Sequence, residues 1–188
     1  MRRKNIRMLG GNPLLAYSIR CGQELDEIEK IFVSTEDPEI AEIANSLQAI
    51  VIPRPQELSL DHVPEWDVWK HAIVWVEDNY GSFERFVSIP TTAPFRMNSD
   101  VSKCLKALDS STDLVIAVAK SSHNPWFNMI SLDENSCVTL LSGENEIYNR
   151  RQDCPEAFII TTFAYVTRPD YIRKSKGLFD GVVKGVQV

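Results

Sequence analysis

What most constrains this chain is a rhythm: short apolar runs rich in β-branched residues alternate with segments of helical periodicity. Strand-like runs fall at Lys30–Ser34, Ala49–Ile52, Phe86–Ile89, Asp113–Val118, Phe158–Val166 and Gly181–Val188. Between them lie helix signals. Pro13 suits a first helical position, with Leu14, Leu15, Ser18, Ile19 and Gly22 following at helical spacing. Asp37-Pro38 is a cap followed by a first-turn proline, with Ile40, Ile43, Ala44 and Leu47 as the buried stripe. Pro64 opens a helix whose Trp66, Trp69, Ile73 and Val76 share one face, a packing stripe rather than a cofactor box. Further helices are expected near Asp100–Leu108 and from Arg168-Pro169-Asp170. Strands alternating with helices predict an α/β fold with a parallel or mostly parallel sheet covered on both faces.

In such a sheet, ligands bind in the crevice outside the carboxyl ends of the strands. Ser88-Ile89-Pro90-Thr91-Thr92-Ala93-Pro94-Phe95-Arg96 sits where one strand ends, with two prolines, two hydroxyls and an arginine. Read alone, it is equally a proline-stiffened turn. The rhythm changes at Lys120: residues 121–156 are polar and mixed, and predict an excursion from the sheet toward a partner subunit.

A length of 188 residues suits one domain with its own core. The formal net charge of −6 argues against a nucleic-acid-coating role. Cys21, Cys104, Cys137 and Cys154 form no CxxC pair, and His62, His71 and His123 are scattered, so neither a disulfide framework nor a metal cluster is expected. No apolar stretch is long enough to span a membrane, and the basic start has no apolar run behind it, so a cytoplasmic protein is expected.

Lys4-Asn5-Ile6, Phe32-Val33-Ser34-Thr35-Glu36-Asp37, Arg54-Pro55, Pro90 to Arg96 and Arg150-Arg151-Gln152-Asp153, in this order, resemble the acylneuraminate cytidylyltransferases, the CMP-sialic acid and CMP-nonulosonic acid synthetases. The resemblance runs from about Lys4 to the last residue. It implies a three-layer nucleotidyltransferase fold, Rossmann-like and of glycosyltransferase-A type, and a homodimer formed through the excursion. It implies as substrates CTP and a nonulosonic acid, as products the CMP-sugar and pyrophosphate, and as cofactor Mg2+. That chemistry asks for in-line positioning and cationic groups on phosphate more than for covalent catalysis. No catalytic base is assigned.

Carried over from the resemblance, Lys4, Asn5, Arg54, Pro90 and Thr92 are the nucleotide-binding candidates. Arg54 matches an arginine beside the cytidine; pairing with Glu57 or Asp61 is the structural alternative. Many relatives have glutamine where Pro90 stands. The sugar-acid candidates are Arg96, Arg151, Thr161, Tyr165, Leu178 and Phe179. Arg96 could instead serve the fold of its loop, Arg151 could pair with Asp153, and Tyr165, Leu178 and Phe179 could be core packing.

The chain also departs from the pattern. Ile159 and Thr161 stand where several sialic-acid enzymes have an arginine and an asparagine, and His62-Val63-Pro64-Glu65 replaces small and hydroxyl residues. A nonulosonic acid other than N-acetylneuraminate is therefore expected. The resemblance also implies a glycine-rich phosphate loop before Lys4 and an Asp-x-Asp metal motif beyond Val188, which these residues do not include. On that ground the chain is expected to be shortened at both ends, to bind CTP weakly and to turn over little. The alternatives are a cytidylyltransferase for another 3-deoxy sugar acid, such as an eight-carbon one, and a non-catalytic paralogue acting as a binding or dimerisation partner.

Overall fold

A computed structural model describes residues 3–142 and 148–188. Residues 143–147, part of the expected excursion, and the first two residues of the basic start lie outside the described residues. The chain divides into two compact units. The first comprises Met1–Ala117 and Thr161–Val186, the second Val118–Ile160 with Gln187–Val188.

The first unit begins with a hairpin of two short antiparallel strands, β1 (Met8–Leu9) and β2 (Asn12–Pro13). The connecting Gly10 and Gly11 have φ of 53° and 82°. Two successive positive φ values make the tight reversal that matches strand twist, and glycine adopts them without a Cβ clash. This hairpin has too few residues to show alternation, and only the Gly-Gly pair signals it in the sequence.

Then follow α1 (Leu14–Gln23), β3 (Phe32–Thr35), α2 (Pro38–Ser46), β4 (Ile50–Pro53), α3 (Glu65–Tyr80), β5 (Phe86–Ser88), α4 (Asn98–Ala107) and β6 (Leu114–Lys120). β7 (Ile130–Leu132) and β8 (Val138–Leu140) belong to the second unit, and β9 (Phe158–Thr167), α5 (Pro169–Lys174) and β10 (Val183–Gln187) complete the chain. The strand and helix expectations are met with ends shifted by a few residues. Asp37 caps α2 as its spacing predicts: Oδ1 accepts from the backbone N–H of Glu39 at 2.9 Å and of Ile40 at 3.4 Å.

The sheets are parallel and mixed. β3 and β4 run parallel, with Val33 opposite Val51. The other main sheet has the strand order β10-β6-β9-β5, and its β5–β9 pairing is antiparallel, Ser88 standing opposite Tyr165.

Alternation of side chains along β3 builds the layers. Val33 packs with Ile31 and Val51 against a buried cluster of Leu15, Ile19 and Ala44 from α1 and α2. Phe32 turns to the other face, where its ring meets Trp75 at 6.5 Å and Tyr80 at 5.4 Å on α3. Helices therefore cover both faces. The stripe Trp66, Trp69, Ile73 and Val76 is buried throughout, as expected. Trp69 lies 5.3 Å from Phe86 and 5.5 Å from Tyr165, and the buried Trp66 indole donates to the Ser175 carbonyl at 3.0 Å.

In the second unit, the Asp133 carboxylate accepts from the backbone N–H of Asn135 and Cys137, closing the turn between β7 and β8. Asn124 ties two further stretches of this unit, donating to the Pro155 carbonyl and accepting from the Trp126 N–H.

Candidate functional site

A cleft of about 1010 Å³ runs through the first unit along the whole of β3 and β5. Its body is apolar, lined by Leu15 and Ile19 of α1 and by Trp69, Ile73 and Val76 of α3. At and just past the strand ends its lining turns polar, with Ser34, Thr35, Glu36 and Arg54 on one side and Pro90, Thr91 and Asn5 on the other. This is the carboxyl-end crevice that an open α/β sheet offers to ligands.

Three expected nucleotide-binding residues, Asn5, Arg54 and Pro90, line this cleft. The turn after β5 is joined to the start of the chain by a hydrogen bond in which the Thr91 hydroxyl donates to Asn5 Oδ1 at 2.7 Å. Arg54 follows β4 and reaches across to β3. Its Nε donates to Ser34 Oγ at 3.1 Å and its Nη2 to the Ser34 carbonyl at 2.5 Å. Among the described residues its Nη1 has no hydrogen-bond partner, and neither Glu57 nor Asp61 pairs with it. Burial draws the Arg54 guanidinium below its ordinary value, against the pull of Glu36 and Glu65. Burial raises the Glu65 carboxyl, opposed by a hydrogen bond to Trp69 and by Arg54. Lys4 is exposed in a short turn and does not line the cleft. Thr92 is outside it too, its hydroxyl bonded to that of Thr162 at 2.8 Å.

None of the sugar-acid candidates lines the cleft. Arg96 is buried, and its guanidinium works as an internal clamp. Nη1 donates to Ser18 Oγ at 3.0 Å, while Nη2 donates to the Pro90 carbonyl and to the Thr162 carbonyl at 3.3 Å. It holds the turn between β5 and α4 in shape from within. Thr161 bonds the Ala117 carbonyl at 3.0 Å. Tyr165 is buried in the aromatic cluster around Trp69, and that burial raises its hydroxyl pKa, with Glu65 adding to the rise. Leu178 is half-buried, its carbonyl accepting from Tyr171, whereas Phe179 is 69% exposed. Arg151 belongs to the second unit, where it is exposed and donates to the Ser122 carbonyl at 2.8 Å. The expected partner of Arg151, Asp153, is taken by Arg150 through two bonds of 2.8 and 2.9 Å.

Residue-by-residue reading left Ser34, Glu36, Glu65 and Thr91 out of the candidate site. Each adjoins a singled-out residue in sequence or in space, but only the folded cleft turns them to one place.

Residues 1–173 match the family profile described as Cytidylyltransferase. The chain belongs to the cytidylyltransferase family. It is 30% identical over 152 residues to the N-acylneuraminate cytidylyltransferase of Escherichia coli O18:K1:H7, covering 80% of this chain and 35% of that one. It is 25% identical over 182 residues to the CMP-N,N'-diacetyllegionaminic acid synthase of Campylobacter jejuni, covering 95% of this chain and 76% of that one. The chain thus spans about a third of the first relative and three quarters of the second. Among solved structures, CMP:2-keto-3-deoxy-manno-octonic acid synthetase complexed with CTP superposes with a TM-score of 0.70 over 98% of this chain and 83% of that one, at 12% identity. That likeness shows the nucleotidyltransferase fold and no more. Among the described residues no helix is long and apolar enough to cross a membrane.

Proposed function

We propose that this chain serves the activation of a nonulosonic acid by CTP. In that reaction the anomeric hydroxyl of the acid attacks the α-phosphorus of CTP. The bond to the β-phosphate breaks, the hydroxyl proton is lost to a base or solvent, and pyrophosphate leaves. The observation that carries the reading is Arg54, a half-buried guanidinium braced by Ser34 at the polar mouth of the cleft, facing Asn5 and Thr91. A planar cation with a free donor suits the phosphates or ribose of a nucleotide. Family membership and the names of the relatives point the same way. The legionaminic-acid relative and the substitutions Ile159 and Thr161 favour an acid other than N-acetylneuraminate.

Magnesium would ordinarily serve such chemistry. Among the described residues no three His, Cys, Asp or Glu side chains converge to hold a metal. No step here is routed through a metal.

The proposal includes a homodimer. One face of the β7–β8 hairpin carries Ile130, Leu132, Val138 and Leu140, with Ser131 and Thr139 on the other. The first three of these are 50–65% exposed, and Phe158 and Ile159 add to the apolar surface of the same unit. Light scattering on the purified chain would show twice the monomer mass; a monomer at micromolar concentration would refute the pairing.

The reading is tested by calorimetric titration of CTP and by pyrophosphate release with a panel of acids. CTP should bind in preference to UTP and ATP. Arg54→Ala should weaken CTP binding about tenfold to a hundredfold, the range of a charge-assisted hydrogen bond. Preference for N-acetylneuraminate would refute the narrower substrate proposal, and turnover of an eight-carbon acid would favour the other sugar-acid branch. CTP binding without turnover of any acid would favour the non-catalytic paralogue.

A further inference from the structure

The residues expected to hold the sugar acid all lie outside the cleft, so its mouth has to hold the acid by other groups. On the Pro90 side of the mouth the lining is Asn5, Ser18, Pro90 and Thr91, none of them charged. The cations of the lining stand elsewhere: Lys30 and Arg85 precede β3 and β5, and Arg54 is on the opposite side of the mouth. Position 90 also lacks a side-chain donor, because proline replaces the glutamine amide that many relatives carry there.

A backbone donor stands in that place. The Pro90 carbonyl is fixed from within, accepting from Ser18 Oγ at 3.2 Å and from Arg96 Nη2. The described residues contain no cis peptide bond, and in a trans peptide the N–H points opposite to the C=O. The Thr91 N–H is therefore turned away from Ser18 and Arg96, on a residue that lines the cleft. Among the described residues this N–H has no hydrogen-bond partner, whereas the Thr91 hydroxyl is engaged with Asn5 Oδ1.

The charge behind this peptide is unusual. Arg96 is 7% exposed, and its hydrogen bonds go to neutral groups alone: the Ser18 hydroxyl and the Pro90 and Thr162 carbonyls. Its Nε is buried without a partner. A buried cation is costly unless a counter-charge faces it. Guanidinium, C=O and N–H lie head to tail, so the cation polarises the peptide and strengthens the N–H as a donor to an anion beyond it. One charge relayed through one peptide matches a single carboxylate. A triphosphate carries several charges and calls for cations in direct contact, as Arg54 can provide.

We propose that the Thr91 N–H holds the carboxylate of the acid substrate, with Arg96 and Ser18 as the positioning residues behind it. The inference rests on the reading of the chain as a sugar-acid cytidylyltransferase. In such an acid the carboxylate is borne by the same carbon as the attacking hydroxyl. Fixing it beside Pro90 keeps that hydroxyl at the mouth that Arg54 shares.

The test is amide NMR on the full 188-residue chain, alone and with saturating CTP. It is titrated with N-acetylneuraminate and with a diacetamido nonulosonic acid, each compared with its methyl ester. The Thr91 amide proton should move downfield with at least one free acid, further than those of Thr92 and Ala93, and should not respond to the ester. Thr91→Pro deletes the N–H, whereas Thr91→Val deletes only the hydroxyl. The first should bind the acid about tenfold to a hundredfold more weakly than the second, the range of a charge-assisted hydrogen bond. Equal loss in the two variants, an equal response to acid and ester, or no Thr91 response to either acid would overturn the proposal. So would a downfield shift that CTP alone completes, since the donor would then belong to phosphate. Should Thr91→Pro not fold, the amide shifts decide by themselves. CTP binding is read separately by calorimetry, so failure at Thr91 leaves the cytidylyltransferase reading standing. Failure of CTP binding would remove that reading and leave a carboxylate-dependent Thr91 shift in place.

Discussion

Among the described residues between Val118 and Ile160, Asn124 is the one buried side chain, whereas the unit built from Met1–Ala117 and Thr161–Val186 encloses Ile19, Ile73, Val101, Leu105, Leu114 and Ile172 almost completely. The first unit is held by burial: helix stripes close on both faces of β3 and β4, and the aromatic rings of α3 lock onto β5 and β9. The second is held by local polar contacts, the Asn124 and Asp133 turns, the Arg150–Asp153 pair and the Lys120–Glu156 ion pair. Exposed ion pairs contribute little, while each buried apolar side chain contributes about 1.5–3 kcal/mol. The comparison teaches where stability is generated and where apolar surface stays exposed.

That contrast can be broken by four measurements. The largest effect is expected from a matched pair of truncations. Ile73→Ala, at a side chain 1% exposed in α3, should cost about 2–5 kcal/mol in denaturant titration. Leu132→Ala, at 65% exposure in β7, should change stability by less than about 0.5 kcal/mol. Equal losses would erase the distinction between the units.

Arg96→Ala should cost about 2–3 kcal/mol, because it takes the guanidinium donor from the Ser18 hydroxyl and the Thr162 carbonyl and leaves the Pro90 carbonyl with Ser18 Oγ. Arg96→Lys should not restore the loss, since a point charge cannot replace the planar fork. Full rescue by lysine would mean that charge, not geometry, holds the turn.

Thiol chemistry separates the units next. Cys104 is fully buried in α4, and desolvation pushes its pKa from 9.0 to about 11. Its folded pKa lies above the unfolded one, so its contribution is fully present below pH 9 and is lost as pH rises toward 11. The loss amounts to about 2–3 kcal/mol at the alkaline end, and Cys104→Ala should flatten that slope. At neutral pH iodoacetamide should label the exposed Cys137 and spare Cys104 until the chain unfolds.

The smallest effect should be the most local. Asn124→Ala removes the side-chain hydrogen bonds to the Pro155 carbonyl and the Trp126 N–H. It should destabilise its own unit by about 1–3 kcal/mol. Amide exchange should quicken across the described part of 121–156 while the α3 amides keep their rates. A matching loss throughout α3 would show that the units unfold together.

Much of this architecture was legible in the residues themselves. The Asp37 cap, the stripe from Trp66 to Val76 and the apolar runs of β3, β4, β6 and β9 are local signals, because a cap needs one side chain at one spacing and a buried face needs one periodicity. The motif from Pro90 to Arg96 was legible as a place but not in its parts. Three of the nucleotide candidates line the cleft, yet Arg96 faces inward and Tyr165 packs in the core, since pattern alone does not say which way a side chain turns.

By itself, then, the sequence determined the α/β rhythm, the helix ends and the family. Only the tertiary structure decided that Arg54 braces against Ser34, that Thr91 joins Asn5 across 86 positions, and that Arg96 turns inward to the Pro90 carbonyl. The reason is physical: periodicity and capping act over a few neighbouring residues, whereas pairing partners, edges and cavities are set by which distant surfaces exclude water together.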